Sequence, residues 1–434
     1  MKRLGEQRSV RALRCAESKT DENVDVAWDV AQRTFEGRSI RRVPVTCDVL
    51  VVGLGAVGSS ATYQLARAGV RVVGLDQFAP PHALGSSHGD TRITRLAVGE
   101  GSQYVPHVRR SHALWREIEE ESGQSLLVAC GGLIVGRPSS TGHRGVADFT
   151  AATIELAREN HIDHEVLTAD QIRERFGVFA VTDEIGYFEP TAGYLRAEAC
   201  VKTQLVLAER AGATIRRDEG VIAWHSNAEG VRVESRTNTY EAASLVLAGG
   251  PWMSELVPDL APYLSVEREV MHWFEIGGDA ARFESNPVFI WMHGSQPGEY
   301  FYGFPAVDGP FGDVKVAAET FGVATTPEVV DRSVRDEESS AFFDAHLRGR
   351  VPGLRPHCRR AVTCLYTVTP DFGFIVDALP GRPNVVVVSA CSGHGFKHAA
   401  SIGECAAHLA LGAPPPVDVS AFSLSRFTDP AVRP

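Results

Sequence analysis

The chain has 434 residues, 44% of them hydrophobic and 22% charged, with 41 Gly, 24 Pro and a formal net charge of −11. That length leaves room for two or three domains with their own cores, and the acidic balance argues against a nucleic-acid partner, whose phosphates need a basic footprint. No apolar run approaches the roughly 20 residues that span a bilayer, and the eight cysteines lack the paired CxxC spacing of a zinc site, so the composition points to a cytoplasmic enzyme or binding protein with reduced thiols and no metal.

Residues 1–44 are basic within an acidic chain and lack the apolar core of a secretory signal, while Asp21, Glu22, Asp25 and Asp29 speak against a transit peptide. They read as a poorly ordered extension or a short peripheral helix around Val24–Phe35. Organised structure is expected from Cys47. Val49–Val52 has the character of a buried strand and runs directly into Gly53-Leu-Gly55-Ala-Val-Gly58. Ser59–Ala68 then reads as a helix stopped by Gly69, Val70–Leu75 as a second strand, and Asp76 stands at its end. A strand, glycine turn, helix, strand and acid within about 30 residues is what a dinucleotide needs. The turn lets backbone approach the pyrophosphate, the helix N-terminus faces the phosphates, and the acid takes the ribose hydroxyls. Asp76 favours FAD or NAD over NADP. A βαβ turn without a ligand is the plainer alternative.

After the acid comes Gly85-Ser-Ser-His88-Gly-Asp-Thr-Arg92-Ile-Thr-Arg95. Arg92 and Arg95 are three apart, so a helical turn would put both on one face, ready to fork a carboxylate; solvated surface arginines are the alternative. Helices are expected at Trp115–Glu121, Phe149–Glu159, from an Asp170 cap to Arg175, and at Leu195–Ala211. Short strands follow at Thr214–Arg216, Val221–Trp224, Val231–Glu234 and Ser244–Leu247. Residues 265–320 alternate apolar and polar, as at Tyr300–Phe304 and Val314–Ala317, which suggests an antiparallel sheet. Strands at Phe374–Asp377 and Val385–Ser389 lead to Ser392-Gly393-His-Gly395-Phe396-Lys397 and a helix from Ala399 to Leu411. The glycines there admit a ligand to backbone N–H groups at a helix start, and Lys397 adds a full charge, suited to a reduced flavin ring.

The expected fold is α/β plus α+β: a Rossmann-type FAD-binding domain (45–130, 190–264 and 371–434) interrupted by an antiparallel-sheet substrate domain (131–189 and 265–370).

The ordered series Gly53–Gly58, Gly85-Ser-x-His88-Gly-Asp-Thr-Arg92, Tyr302-Gly-Phe-Pro305, Val314-Lys315-Val316, Cys364-Leu-Tyr-Thr367 and Ser392–Lys397 resembles the monomeric sarcosine oxidase and N-methyltryptophan oxidase family from about residue 47 to 427. The resemblance implies FAD bonded covalently to Cys364, with Gly53, Gly55, Gly58, Asp76, Gly393, Gly395 and Phe396 also on the cofactor. It implies Lys315 over the flavin, assisting its reaction with oxygen; Arg95 and Lys397 on the substrate carboxylate; His88 and Arg92 beside the ring; and Tyr302 lining the substrate cavity. The implied reaction is oxidation of a secondary amino acid, N-methylated or cyclic, by molecular oxygen in a monomeric enzyme with no nucleic-acid or membrane partner. Without the resemblance, each of the eight cysteines reads as a small core residue.

One position departs from the family pattern. Glu319 stands where sarcosine oxidases carry a histidine, and on a continued strand it would share a face with Lys315. A carboxylate there either favours a substrate with an extra positive charge or pairs with Lys315, and it puts sarcosine itself in doubt. Rival readings are a flavin dehydrogenase with another electron acceptor, a nicotinamide dehydrogenase sharing the glycine turn, and a non-catalytic flavin-binding protein.

Overall fold

A computed structural model of the chain describes residues 43–137, 146, 148–296, 298–309, 312–320 and 322–428. The expected helix Val24–Phe35 lies outside the described residues.

Val49–Val52 is apolar at every position because both its faces are covered. Val49 and Val51 join a core beneath helices, whereas Leu50 and Val52 join a second core beneath a small mixed sheet. This strand is central to a six-stranded sheet with the order 214–216, 72–75, 49–52, 244–247, 382–389, 375–379. All its pairs are parallel except the last. The helices Ala56–Arg67, Ala197–Arg210 and Ala399–Ala410 pack on one face. Strands Val45–Thr46, Thr239–Ala242, Gly230–Ser235 and Val221–Asn227 form the cover on the other.

The second large sheet has nine described strands, drawn from residues 132–189 and 265–368. It is mixed and not antiparallel throughout, because Val288–Met292 runs parallel to Gly132–Gly136. Ser265–Ile276 is its spine, pairing with Val314–Ala317 and with the long strand Leu354–Val368. That long strand was not legible from sequence: Arg355, His357 and Arg359 are exposed and polar and an exposed Pro356 stands among them, which hides its alternation. No described helix is long and apolar enough to cross a membrane.

Several local expectations need correction. Thr168, not Asp170, caps the helix Ala169–Phe176, in a capping box with Gln171. The helix through Trp115 begins at Val105, where Pro106 is accommodated in the first turn. Leu195 lies in the strand Gly193–Arg196, and the helix starts at Ala197. Thr91–Thr94 is a strand, so Arg92 and Arg95 do not share a helical face.

Candidate functional site

The glycine turn sits at the carboxyl end of Val49–Val52 and opens the helix Ala56–Arg67. Gly53 has φ +86°, and a Cβ there would lie 2.4 Å from Ala248 O. At Gly58 a Cβ would fall 1.8 Å from Gly53 O, so helix and turn touch backbone to backbone. Gly55 is different: the nearest atom to its Cβ position is Ser87 Oγ at 3.4 Å, which leaves space at the helix start. Asp76 accepts from Leu54 N at 2.8 Å and from Phe78 N at 2.9 Å. Each carboxylate oxygen keeps a second lone pair for a ribose hydroxyl. An open, glycine-lined helix start at the end of a parallel strand fits the pyrophosphate and ribose of a dinucleotide.

Strand register builds the other half of the site. Lys315 pairs with Trp273, Cys364 with Glu269, and Tyr302 with Ala317. Paired residues share a face, and so do residues two or four apart on one strand. Tyr302, Lys315, Cys364 and Tyr366 therefore project together, while Val314, Val316 and Phe274 fill the core behind them. The loop carrying His88 and Arg92 lies against this face. Glu198, in the first turn of its helix, holds the loop by accepting from Gly89 N at 2.6 Å.

Arg92 donates to Ser86 O at 2.9 Å and reaches Cys364 Sγ at 3.6 Å. Burial pushes the Cys364 thiol up to about 11, and Arg92 pulls the other way. Lys315 Nζ donates to Gly89 O at 2.6 Å and Thr91 O at 2.7 Å, with the Phe304 ring 4.6 Å away. Burial, then the Arg92 charge, hold its pKa well below the usual lysine range. His88 is buried beside both cations; burial first, then Arg92 and Lys315, lower it to about 3, and its Nε2 has no hydrogen-bond partner. Tyr302 and Tyr366 bring their hydroxyls within 3.2 Å.

Glu319 does not pair with Lys315. It lies beyond the strand Val314–Ala317, so the expectation of a shared strand face fails, and its Oε2 accepts from Tyr300 at 2.6 Å. Its charge raises the pKa of Tyr366, after burial and Tyr302.

Arg95 and Lys397 do converge, on an acid that sequence reasoning missed. Arg95 donates to Glu100 Oε2 at 2.7 Å, and Lys397 Nζ lies 4.0 Å from Glu100 Oε1. All three side chains are buried. The one available signal was an acid between two glycines, Gly99 and Gly101, five residues past Arg95. A small cleft of about 100 Å³, lined by Glu100, Tyr104, Phe372 and Phe422 among others, opens beside this cluster. Lys397 also donates to His394 O at 2.8 Å, within the turn that contains Gly393 and Gly395. Phe396 packs partly buried against the core beneath the helices.

The profile of the FAD dependent oxidoreductase (DAO) family matches residues 48–409. The chain belongs to that family. Monomeric sarcosine oxidase of Streptomyces avermitilis is 40% identical over 371 residues, covering 84% of this chain and 94% of that protein. N-methyl-L-tryptophan oxidase of Yersinia pestis is 38% identical over 384 residues, covering 88% and 99%. Among solved structures, NikD, an unusual amino acid oxidase essential for nikkomycin biosynthesis, superposes with a TM-score of 0.76 at 24% identity, covering 87% of this chain and 97% of that one. L-proline dehydrogenase from P. horikoshii gives 0.72 at 20% identity, covering 89% and 99%. These two likenesses establish the fold of the oxidoreductase. The flavin family also sets aside the nicotinamide dehydrogenase that the glycine turn alone allowed.

Proposed function

We propose that this FAD-dependent oxidoreductase oxidises a secondary amino acid, N-methylated or cyclic, and passes the electrons to oxygen. The observation that carries the reading is the single buried face on which Cys364, Lys315 and Tyr302 meet Arg92 and His88. In this reading the adenosine end of FAD lies with residues 45–130, 190–264 and 371–434, and the ring lies against residues 131–189 and 265–370.

When bound, FAD supplies the redox chemistry: a hydride leaves the carbon next to nitrogen, and two electrons and two protons convert oxygen to hydrogen peroxide. The amine becomes an imine, which water hydrolyses to an aldehyde plus an amine, the two carried on one opened chain when the substrate is cyclic. Arg95 and Lys397 bind the substrate carboxylate, with Glu100 balancing their charge until substrate arrives through the adjoining cleft. The carbonyls of Gly89 and Thr91 aim the Lys315 ammonium, which stabilises negative charge developing on oxygen. Cys364 would hold the cofactor through a thioether to a ring methyl carbon, the C–H bond lost there giving its two electrons to the flavin and then to oxygen, and Arg92 would stabilise the attacking thiolate. The described cysteines are all free, which suits the cytoplasm, and we place the enzyme there as a monomer.

The test is anaerobic bleaching of the yellow protein by N-methyl and cyclic amino acids, followed by peroxide production on admitting air. Dye reduction without peroxide would replace the oxidase with a dehydrogenase. Yellow colour should stay with acid-precipitated protein and leave with the supernatant in Cys364→Ala; colour lost from the unaltered protein refutes the covalent bond.

A further inference from the structure

Outside the residues singled out so far, one half-buried arginine has a buried donor without an acceptor. Arg332 lies between the strand Ala324–Thr325 and the helix Asp336–Phe342. Its Nη2 donates to Leu84 O at 2.8 Å, and its own carbonyl accepts from Thr363 Oγ1 at 3.0 Å, one residue before Cys364. Two tethers thus fix both the backbone and the fork of this arginine. Its Nη1 is buried and has no hydrogen-bond partner. No described carboxylate forms an ion pair with it.

The setting of that Nη1 is specific. Arg332 is close enough to His88 to help depress its pKa, together with Arg92 and Lys315, and His88 Nε2 is likewise buried without a partner. The loop between them, Leu84–His88, bridges both halves of the cofactor site. Ser87 Oγ accepts from Ala56 N at the glycine turn, while Ser86 O accepts from Arg92 and lies 3.7 Å from Cys364 Sγ. A guanidinium N–H buried without an acceptor costs free energy that a native fold recovers only by receiving one. In a pocket already crowded with Arg92, Lys315 and His88, the matching acceptor is an anion.

We infer that Arg332 is a cofactor-binding residue whose Nη1–H receives an anionic oxygen of FAD, from a segment outside the dinucleotide fold. The inference rests on the flavin site proposed above. Two oxygens share this chemistry: those of the pyrophosphate, and the carbonyl of the flavin ring that gains charge on reduction.

Arg332→Met and Arg332→Gln separate them, with the exposed Arg335→Met as control. Flavin content per protein and the flavin midpoint potential are measured on purified holoenzyme, with circular dichroism to report folding. A pyrophosphate contact lowers flavin content, and in a Cys364→Ala background, where no covalent bond retains the cofactor, adding Arg332→Met raises the FAD needed for reconstitution roughly tenfold. A ring contact leaves content intact and shifts the oxidised-to-reduced ratio at fixed potential roughly tenfold toward oxidised. Either result supports the assignment and identifies the oxygen. Folded Arg332→Met with unchanged content and potential overturns it. Should that variant not fold, Arg332→Gln keeps a donor for Leu84 and decides by the same two readings. A colourless wild-type protein would sink the flavin site itself, whereas yellow wild type with unaltered variants sinks only the role of Arg332.

Discussion

The two halves of the site are built from different materials. The glycine turn uses backbone: close approach at Gly53 and Gly58, open space at Gly55, and an acid that ties Leu54 and Phe78. The face around Cys364 uses side chains, with cations brought from residues far apart in sequence and held by carbonyl oxygens. Backbone sites tolerate almost no substitution but recognise only a shape. Side-chain sites tolerate more and set the chemistry.

The sharpest break should come at the turn. Gly58→Val drives side-chain atoms into Gly53 O and should cost on the order of 3 kcal/mol or more, yielding colourless or insoluble protein by absorbance and thermal melting. Gly55→Ala meets only ordinary contact with Ser87, so it should fold normally and lose flavin, separating the ligand role of the turn from its structural one. A folded, fully flavinylated Gly58→Val would erase the contrast.

On the side-chain half, Glu100→Gln should destabilise the substrate-free enzyme by about 3 kcal/mol, because it leaves Arg95 and Lys397 buried without their shared acid. A saturating carboxylate ligand should restore most of the melting temperature; a loss that no carboxylate repairs would make the cluster purely structural. Lys315→Met should slow reoxidation by oxygen about a hundredfold while anaerobic bleaching stays near wild type. Because burial depresses the pKa of Lys315, the ammonium is lost as pH rises through that lowered value, so wild-type reoxidation should fall on the alkaline side below the usual lysine range.

The smallest expected effect is on acid stability. His272 is buried against Phe342 and held neutral to about 4, mainly by burial. The unfolded chain takes its proton near 6.5, so this contribution is whole above that pH and is lost as pH falls toward 4. About 2 kcal/mol should go between pH 6.5 and 5 from this group, and His272→Phe should flatten the denaturation profile over that window.

What was legible follows the same division. Val49–Val52, Val314–Ala317 and the glycine turn announce themselves because burial on both faces, or backbone contact, leaves few residue choices. The cations were legible only through the order of motifs, since nothing local marks Arg92 or Lys315 as facing Cys364. The strand that brings Cys364 there was hidden by its exposed polar half. Glu100 has Arg95 nearby, but its second cation, Lys397, lies about 300 residues away, and Arg332 reaches the Leu84 carbonyl about 250 residues away, so neither arrangement shows locally. Glu319 misled because a chain leaving its strand no longer keeps the period of two.

The strand order also dictates when the protein can exist. Val49–Val52 has Ser244–Leu247 as a neighbour, which in turn awaits Arg382–Ser389, and the helix after the glycine turn packs on Ala399–Ala410. A ribosome making this chain therefore releases its dinucleotide turn early and its last support only near the end. Nascent chains must keep an apolar strand, paired on one edge only with Val72–Leu75, from aggregating for most of synthesis, so cofactor capture is an event of the finished polypeptide, and protein truncated before residue 382 should accumulate as a chaperone client without flavin.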